Sequence, residues 1–284
     1  MEARRHEMPI STINNTSAQK ISEMNMVFPM VSVVMPAYNA EKYIETAILS
    51  VICQSYSNWE LIIVNDCSHD NTLGIAVKYA NIDNRVRIYT NANTLGAFAS
   101  RQYAVSLASG QWIAFLDADD EWTSDKLQKQ LYFAEKNGCD FTFTASSFMD
   151  KHDRKHRWIM SVPEKVDYKS LLKQNIISCS SVLIKKNLLL QKFPIGNKPI
   201  HEDYVMWLSI LRIGRCAYGI NEPLLCYRIS QDSQSGNKIK SAVMTFNTYR
   251  MIGLGVASSL INLTEYTLRS LYKYGKLVLS GKRK

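Results

Sequence analysis

Apolar positions in the first half of the chain fall in short β-branched runs separated by stretches of helical spacing. This is the alternation expected of a largely parallel sheet with helical crossovers. Val31–Met35 reads as a strand closed by Pro36, and Glu41–Ile52 as a helix. Leu61–Val64, Val86–Thr90 and Trp112–Leu116 read as further strands, with helices over Asn71–Ala80 and Ala97–Ala108 between them. Trp112–Leu116 is apolar throughout, and short unalternating runs of this kind predict strands covered on both faces. Past Glu121 the pattern predicts a helix at Ser124–Lys136, a strand at Phe141–Ser147, and a charged surface loop at Lys151–Arg157. A helix at Tyr168–Gln174, a strand at Ser181–Ile184, an amphipathic helix at His201–Ile213 and extended chain at Arg215–Arg228 follow. From Lys238 onward apolar residues recur at helical spacing in one or two helices.

Composition narrows the class. The chain has 284 residues, 46% hydrophobic and 21% charged, enough to bury a sizeable core. Its 12 Gly, 7 Pro and 6 Cys exclude collagenous, disordered and disulfide-scaffold chains. The cysteines (Cys53, Cys67, Cys139, Cys179, Cys216 and Cys226) show no metal-binding spacing and read as reduced thiols in apolar surroundings. Residues 1–30 carry no secretory apolar segment and read as a flexible arm, and no transmembrane helix is expected. The net charge of +9 is unevenly placed. Gly236–Lys284 holds nine Lys and Arg against one acid, Glu265, whereas residues 1–235 are nearly neutral. Such a tail fits nucleic acid, an anionic membrane surface or solubility.

Candidate chemistry collects at strand ends. The first strand runs into Pro36-Ala37-Tyr38-Asn39, the second into Asn65-Asp66-Cys67-Ser68-His69-Asp70, the fourth into Asp117-Ala118-Asp119-Asp120. In open α/β sheets ligands bind beyond the carboxyl ends of the strands, so these three ends define one site. Asp and Asn also cap helices and shape turns, which is the competing reading. No glycine-rich phosphate loop of the dinucleotide or P-loop kind is present. The acidic cluster instead suits Mg²⁺ or Mn²⁺, held by one or two carboxylates and completed by substrate phosphates.

Four strings taken in order resemble family 2 glycosyltransferases of the GT-A fold: Val33–Asn39, Val64–Thr72, Gly110–Asp120 and His201–Leu208. The resemblance covers roughly residues 31–230 and points to bacterial O-antigen and capsule enzymes. It implies a Rossmann-like, mostly parallel α/β sheet flanked by helices, with a C-terminal helical extension. It also implies site roles: Pro36, Tyr38 and Asn39 along the nucleotide, with Tyr38 against the base, and Asp66 accepting from uracil. Arg101, in the stretch Asn93, Gly96, Arg101, would lie near the donor, Asp117 near the ribose, and Asp119 on the metal. Asp203 would be the general base, with Glu202 its acidic neighbour. Ser230 stands where the family often has His, and Ser233, Ser235 and Lys238 follow as a polar loop that could fold over the donor. Trp122 and Trp207 are candidates for stacking on sugar or acceptor.

The sequence therefore predicts an inverting, metal-dependent transfer of a hexose or N-acetylhexosamine from a UDP-sugar to a polyprenyl-diphosphate-linked saccharide. Mn²⁺ or Mg²⁺ would be the cofactor. Residues 31–120 would form the nucleotide-sugar half, 121–235 the acceptor half, and 236–284 a basic amphipathic tail. The expected location is cytoplasmic, peripheral at the inner face of the cell membrane, with an anionic membrane surface as a partner. Two competing readings are a nucleic-acid-binding protein using the tail and a nucleotidyltransferase. The first lacks aromatics interleaved with its basic residues, and the second lacks a glycine-rich loop after the first strand.

Overall fold

The computed structural model describes residues 29–196, 198–229 and 238–281. Strand β1 (Val31–Ala37) leads to α1 (Ile44–Ile52), β2 (Trp59–Asn65), α2 (Thr72–Ile82), β3 (Val86–Thr90), α3 (Ala97–Leu107) and β4 (Trp112–Phe115). The second half continues with β5 (Glu121–Trp122), α4 (Lys126–Lys136), β6 (Phe141–Asp150), β7 (Lys155–Met160), β8 (Lys165–Val166) and α5 (Tyr168–Lys173). It closes with β9 (Leu183–Lys185), α6 (Glu202–Arg212), β10 (Ala217–Ile229), α7 (Lys238–Met251) and α8 (Val256–Gly281).

One sheet runs β3-β2-β1-β4-β9-β6-β10-β5, with β7 on β6 and β8 on β10. Parallel pairings join β3, β2, β1 and β4, and also β6 to β10. Antiparallel β9 stitches these two parallel blocks together. Strand alternation splits the apolar residues into two cores. Val34, Ile62, Val64, Ile113 and Phe115 face α3, α5, α6 and α7, while Val33, Met35, Leu61, Ile63 and Ala114 face α1, α2 and α4. Each fully buried aliphatic side chain contributes about 1.5–3 kcal/mol, which is why β1 and β2 are buried at every position. Gly110 is required before β4, because a Cβ there would lie 2.7 Å from Met30 O and Ser32 N.

Three local expectations are corrected. Pro36 does not close β1: it sits in the strand opposite Val64, buried like its neighbours. Along β1, strand β4 pairs with Val31–Val34 and no further, ending with the bond from Leu116 N–H to Val34 O. The donor that proline lacks therefore falls where no partner remains. Lys151–Arg157 is only partly a loop. The Asp150 carboxylate accepts from His152 N and Arg154 N to make a tight turn, and Lys155–Met160 then pairs antiparallel with β6. Its charged side chains are solvent-facing residues of an edge strand. Helix α6 is not amphipathic in its setting: Tyr204–Leu208, Ile210 and Leu211 are all buried. The α7–α8 hairpin closes its outer side, with Tyr249 and Tyr266 against Tyr204.

No helix among the described residues is long and apolar enough to cross a membrane. The six cysteines are free thiols. The expected arm at residues 1–30 falls outside the described residues up to position 28, as do Ser230, Ser233 and Ser235 of the polar loop; Lys238 opens α7.

Candidate active site

The carboxyl ends of β1, β2 and β4 lie side by side, and hydrogen bonds lace the first two loops together. Asn39, at φ +48°, donates its N–H to Ser68 Oγ and accepts from His69 N through Oδ1 at 2.9 Å. Ala40 N–H donates to Thr72 Oγ1, Glu41 N–H to Asp70, and Asn71 N–H back to Glu41. This lacing holds Tyr38 half-exposed on the open surface, while Pro36 stays inside the sheet.

Asp66 ends β2 and is 3% exposed. Its Oδ1 accepts from Asn91 Nδ2 (2.7 Å) and Leu95 N (2.8 Å), and its Oδ2 from Gly96 N (2.7 Å). Gly96, at φ +89°, presents its N–H from a backbone conformation that side chains disfavour. Burial pushes the Asp66 carboxyl up, but the donors from Leu95, Asn91, Gly96 and Ser100 outweigh it and hold the pKa below the ordinary value. A depressed folded pKa contributes stability above the unfolded value of about 3.9, lost as pH falls through the folded pKa. Asp66→Asn is therefore expected to cost about 1–3 kcal/mol at pH 7, with the gap to wild type narrowing only below about pH 4. Urea unfolding of both proteins across that range checks this; a gap independent of pH would remove the charge from the account.

The acidic loop after β4 is tied from two sides. Arg101 of α3, buried, pairs with Asp117 and leaves its Nε without a hydrogen-bond partner. Burial works to lower the Arg101 pKa, but the Asp117 charge, with Cys179 and Asp203 assisting, raises it further above neutrality. Asp117 N–H donates to Ser180 Oγ at 3.1 Å. Arg228 of β10, with a side chain 1% exposed, holds the other side. Its Nε donates to Asp119 O (2.8 Å), its backbone N to Asp120 Oδ1 (2.9 Å), and its terminal nitrogens to Asp150 O, Asp153 and Glu121. The guanidinium also lies 4.3 Å over the Tyr43 ring.

Burial and then the Asp117 charge raise the Asp119 pKa to about 6. Adjacent carboxylates in this loop are hard-oxygen donors of the kind that suit a divalent cation. Among the described residues no three His, Cys, Asp or Glu side chains gather to hold a metal by themselves.

Across the site, Glu202 and Asp203 occupy the first turn of α6. Asp203 Oδ1 accepts from Tyr204 N at 2.8 Å, and burial, aided by the Asp203 charge against the pull of Arg101, raises the Glu202 pKa. His201 is clamped to α7: its N–H donates to Thr248 Oγ1, and its Nε2 lies 3.3 Å from Ser241 O.

The two tryptophan expectations are overturned. Trp207 is fully buried between Phe115 and Phe141, because it projects from α6 into the core under the sheet. Trp122 is also buried: its Nε1–H donates to Ser180 O and Lys126 caps its ring at 4.0 Å. Sequence reasoning assigned no role to Asn91, Ser180 or Arg228. Arg228 lies two residues before Ser230, and a basic residue in that otherwise apolar run was the signal available.

The sequence profile described as Glycosyl transferase family 2 matches residues 32–190. A Bacillus subtilis glycosyltransferase named for teichuronic acid biosynthesis is 41% identical over 224 residues, 79% of this chain and 88% of the relative. An Escherichia coli UDP-Glc:alpha-D-GlcNAc-diphosphoundecaprenol beta-1,3-glucosyltransferase is 38% identical over 214 residues, 74% of this chain and 81% of the relative. Among solved structures, S. aureus TarS in complex with UDP-GlcNAc matches with a TM-score of 0.65 at 20% identity, covering 86% of this chain and 73% of that one. At that identity the likeness concerns the fold.

Proposed function

The chain belongs to glycosyl transferase family 2 and has the GT-A fold, and from that premise we propose that it is an inverting, metal-dependent transferase of surface-polysaccharide assembly. The donor is a UDP-activated hexose or N-acetylhexosamine. The acceptor is a saccharide on a polyprenyl diphosphate, as the name of the E. coli relative suggests. The observation that carries this reading is Arg101, a buried guanidinium bonded to Asp117 of the acidic loop while lying in the field of Asp203. One cation thereby joins the donor side of the site to the acid pair on α6.

Tyr38 stacks on the base, Asp66 accepts the base N–H while fixing the Asn91–Gly96 loop, and Asp117 faces the ribose. Asp119, beside Asp117, is the residue that would hold Mn²⁺ or Mg²⁺, which would offset charge building on the leaving diphosphate without moving a proton. Asp203 removes the proton from the attacking acceptor hydroxyl. Such a displacement is a single in-line step and needs no side-chain nucleophile. Residues 31–120 serve the donor, 121–235 the acceptor, and the basic C-terminal segment an anionic, cytoplasm-facing membrane surface, at about 1 kcal/mol per basic side chain.

The test is a transfer assay with UDP-glucose and UDP-N-acetylglucosamine, Mn²⁺, and a synthetic GlcNAc-diphosphate-lipid, with NMR of the product. A β linkage from the UDP-α-sugar is expected; an α linkage overturns the inverting assignment.

A further inference from the structure

Helices α7 and α8 flank a shallow, open groove of about 460 Å³ lined by Ile239, Ala242, Val243, Phe246, Leu260 and Leu263. The lining residues of α7 recur at the i, i+3, i+4, i+7 spacing of a single helix face. The opposite face of α7, with Met244, Thr245, Thr248 and Tyr249, is buried against the body. Helix α7 is therefore two-sided: one side packs on the protein and the other, with Ile239 at 80% exposure, lies open. Val256, Leu260, Ile261 and Leu268 extend the open apolar surface along α8. Monomeric proteins seldom leave a contiguous surface of this kind without a partner.

The groove adjoins the acid pair. Ser241, next to the lining residue Ala242, contacts His201 Nε2 through its carbonyl, and His201 immediately precedes Glu202 and Asp203. Asn247 and Thr248 of the same helix hold Pro199 O and His201 N–H. The first turn of α7 touches this segment, carries the positive end of the helix dipole and contains no acid. An amphiphile fits this arrangement in one direction. Its anionic end meets the positive first turn beside His201, and its hydrocarbon runs down the groove. The side chains lining the groove are all apolar and offer no hydrogen-bonding group, which suits a hydrocarbon occupant.

We propose that the α7–α8 groove seats the polyprenyl hydrocarbon of the acceptor, beside the segment that carries Asp203. This rests on the lipid-linked acceptor proposed above, and it adds a site that selects the lipid rather than the sugar. The full-length enzyme would be assayed in mixed micelles on GlcNAc-diphosphate carried by a long polyprenyl chain and on the same head group carried by a short alkyl chain. Wild type is expected to show a KM about tenfold or more lower for the long chain. Val243→Glu with Leu260→Glu, both half-exposed positions, should collapse that ratio to within about twofold while retaining turnover on the short-chain acceptor. Ala242→Trp, which fills the groove without adding charge, should do the same.

Survival of the chain-length ratio in both variants overturns the proposal. So does a loss confined to vesicle binding, which would make the face a bilayer contact, or a concentration-dependent mass, which would make it a contact between two copies. If neither acceptor is glycosylated, the acceptor reading itself fails. The groove is then judged by cross-linking a benzophenone-bearing geranylgeranyl diphosphate. Label on α7 and α8 that Val243→Glu removes upholds the hydrocarbon seat, and label elsewhere rejects it.

Discussion

Asp203→Asn is expected to lower kcat by about 10²–10⁴ while leaving KM for the UDP-sugar within about twofold. An amide of the same shape keeps the packing of the first turn of α6 but cannot take a proton from the acceptor hydroxyl. The structure makes this test sharper than a lone substitution, because a second carboxylate sits one residue away. Glu202 is pushed toward its neutral form by burial, opposed by Arg101 and assisted by Asp203. Glu202→Gln should therefore cost less in kcat than Asp203→Asn. Steady-state kinetics of both variants, alongside calorimetric titration with UDP, read the result directly. If Glu202→Gln suffers the larger loss and Asp203→Asn turns over normally, the base is Glu202.

The second large effect is expected at the acidic loop. Asp119→Ala should cost about 10²–10³ in kcat, and chelation should reduce wild type to a similar level. The residual rate of the variant should no longer respond to added Mn²⁺ or Mg²⁺. The reason lies in the crowding of Asp117 and Asp119. Burial and then the Asp117 charge raise the Asp119 pKa to about 6, and a divalent cation held there would favour the charged form. Ala removes this carboxylate and with it the seat. A metal titration of activity, with and without a chelator, checks the prediction. Full activity of wild type in a chelator would take the metal out of the reaction.

What sequence could reveal divides by distance along the chain. Strands β1, β2 and β4 and the acids at their ends were legible because each motif is local, a buried apolar run followed at once by turn residues. The acid pair at His201–Asp203 was legible for the same reason. Pro36 misled because proline ends a strand only where its missing donor has a partner to disappoint, and the early end of β4 depends on the sheet. The Lys151–Arg157 segment misled because an edge strand needs main-chain pairing, not apolar side chains. Trp207 misled because a helix enclosed on all sides shows no period that separates a site-facing ring from a core one. The hairpin that encloses it lies about forty residues further on. Asn91, Ser180 and Arg228 meet the strand ends across gaps in sequence that no local pattern spans.

Arg228 also bears on the order in which the enzyme becomes complete. It reaches back 109 positions to Asp119, 107 to Glu121 and 75 to Asp153. Closing contacts across such spans is slow relative to forming the strands and helices between them. During synthesis the nucleotide-side strands β1–β4 have all emerged by residue 115, while the acidic loop waits for β10 to be made and inserted. Without β10 the loop that carries Asp119 lacks the Arg228 contacts to Asp119 O and Asp120, so the last strand of the sheet is the one that fixes this loop.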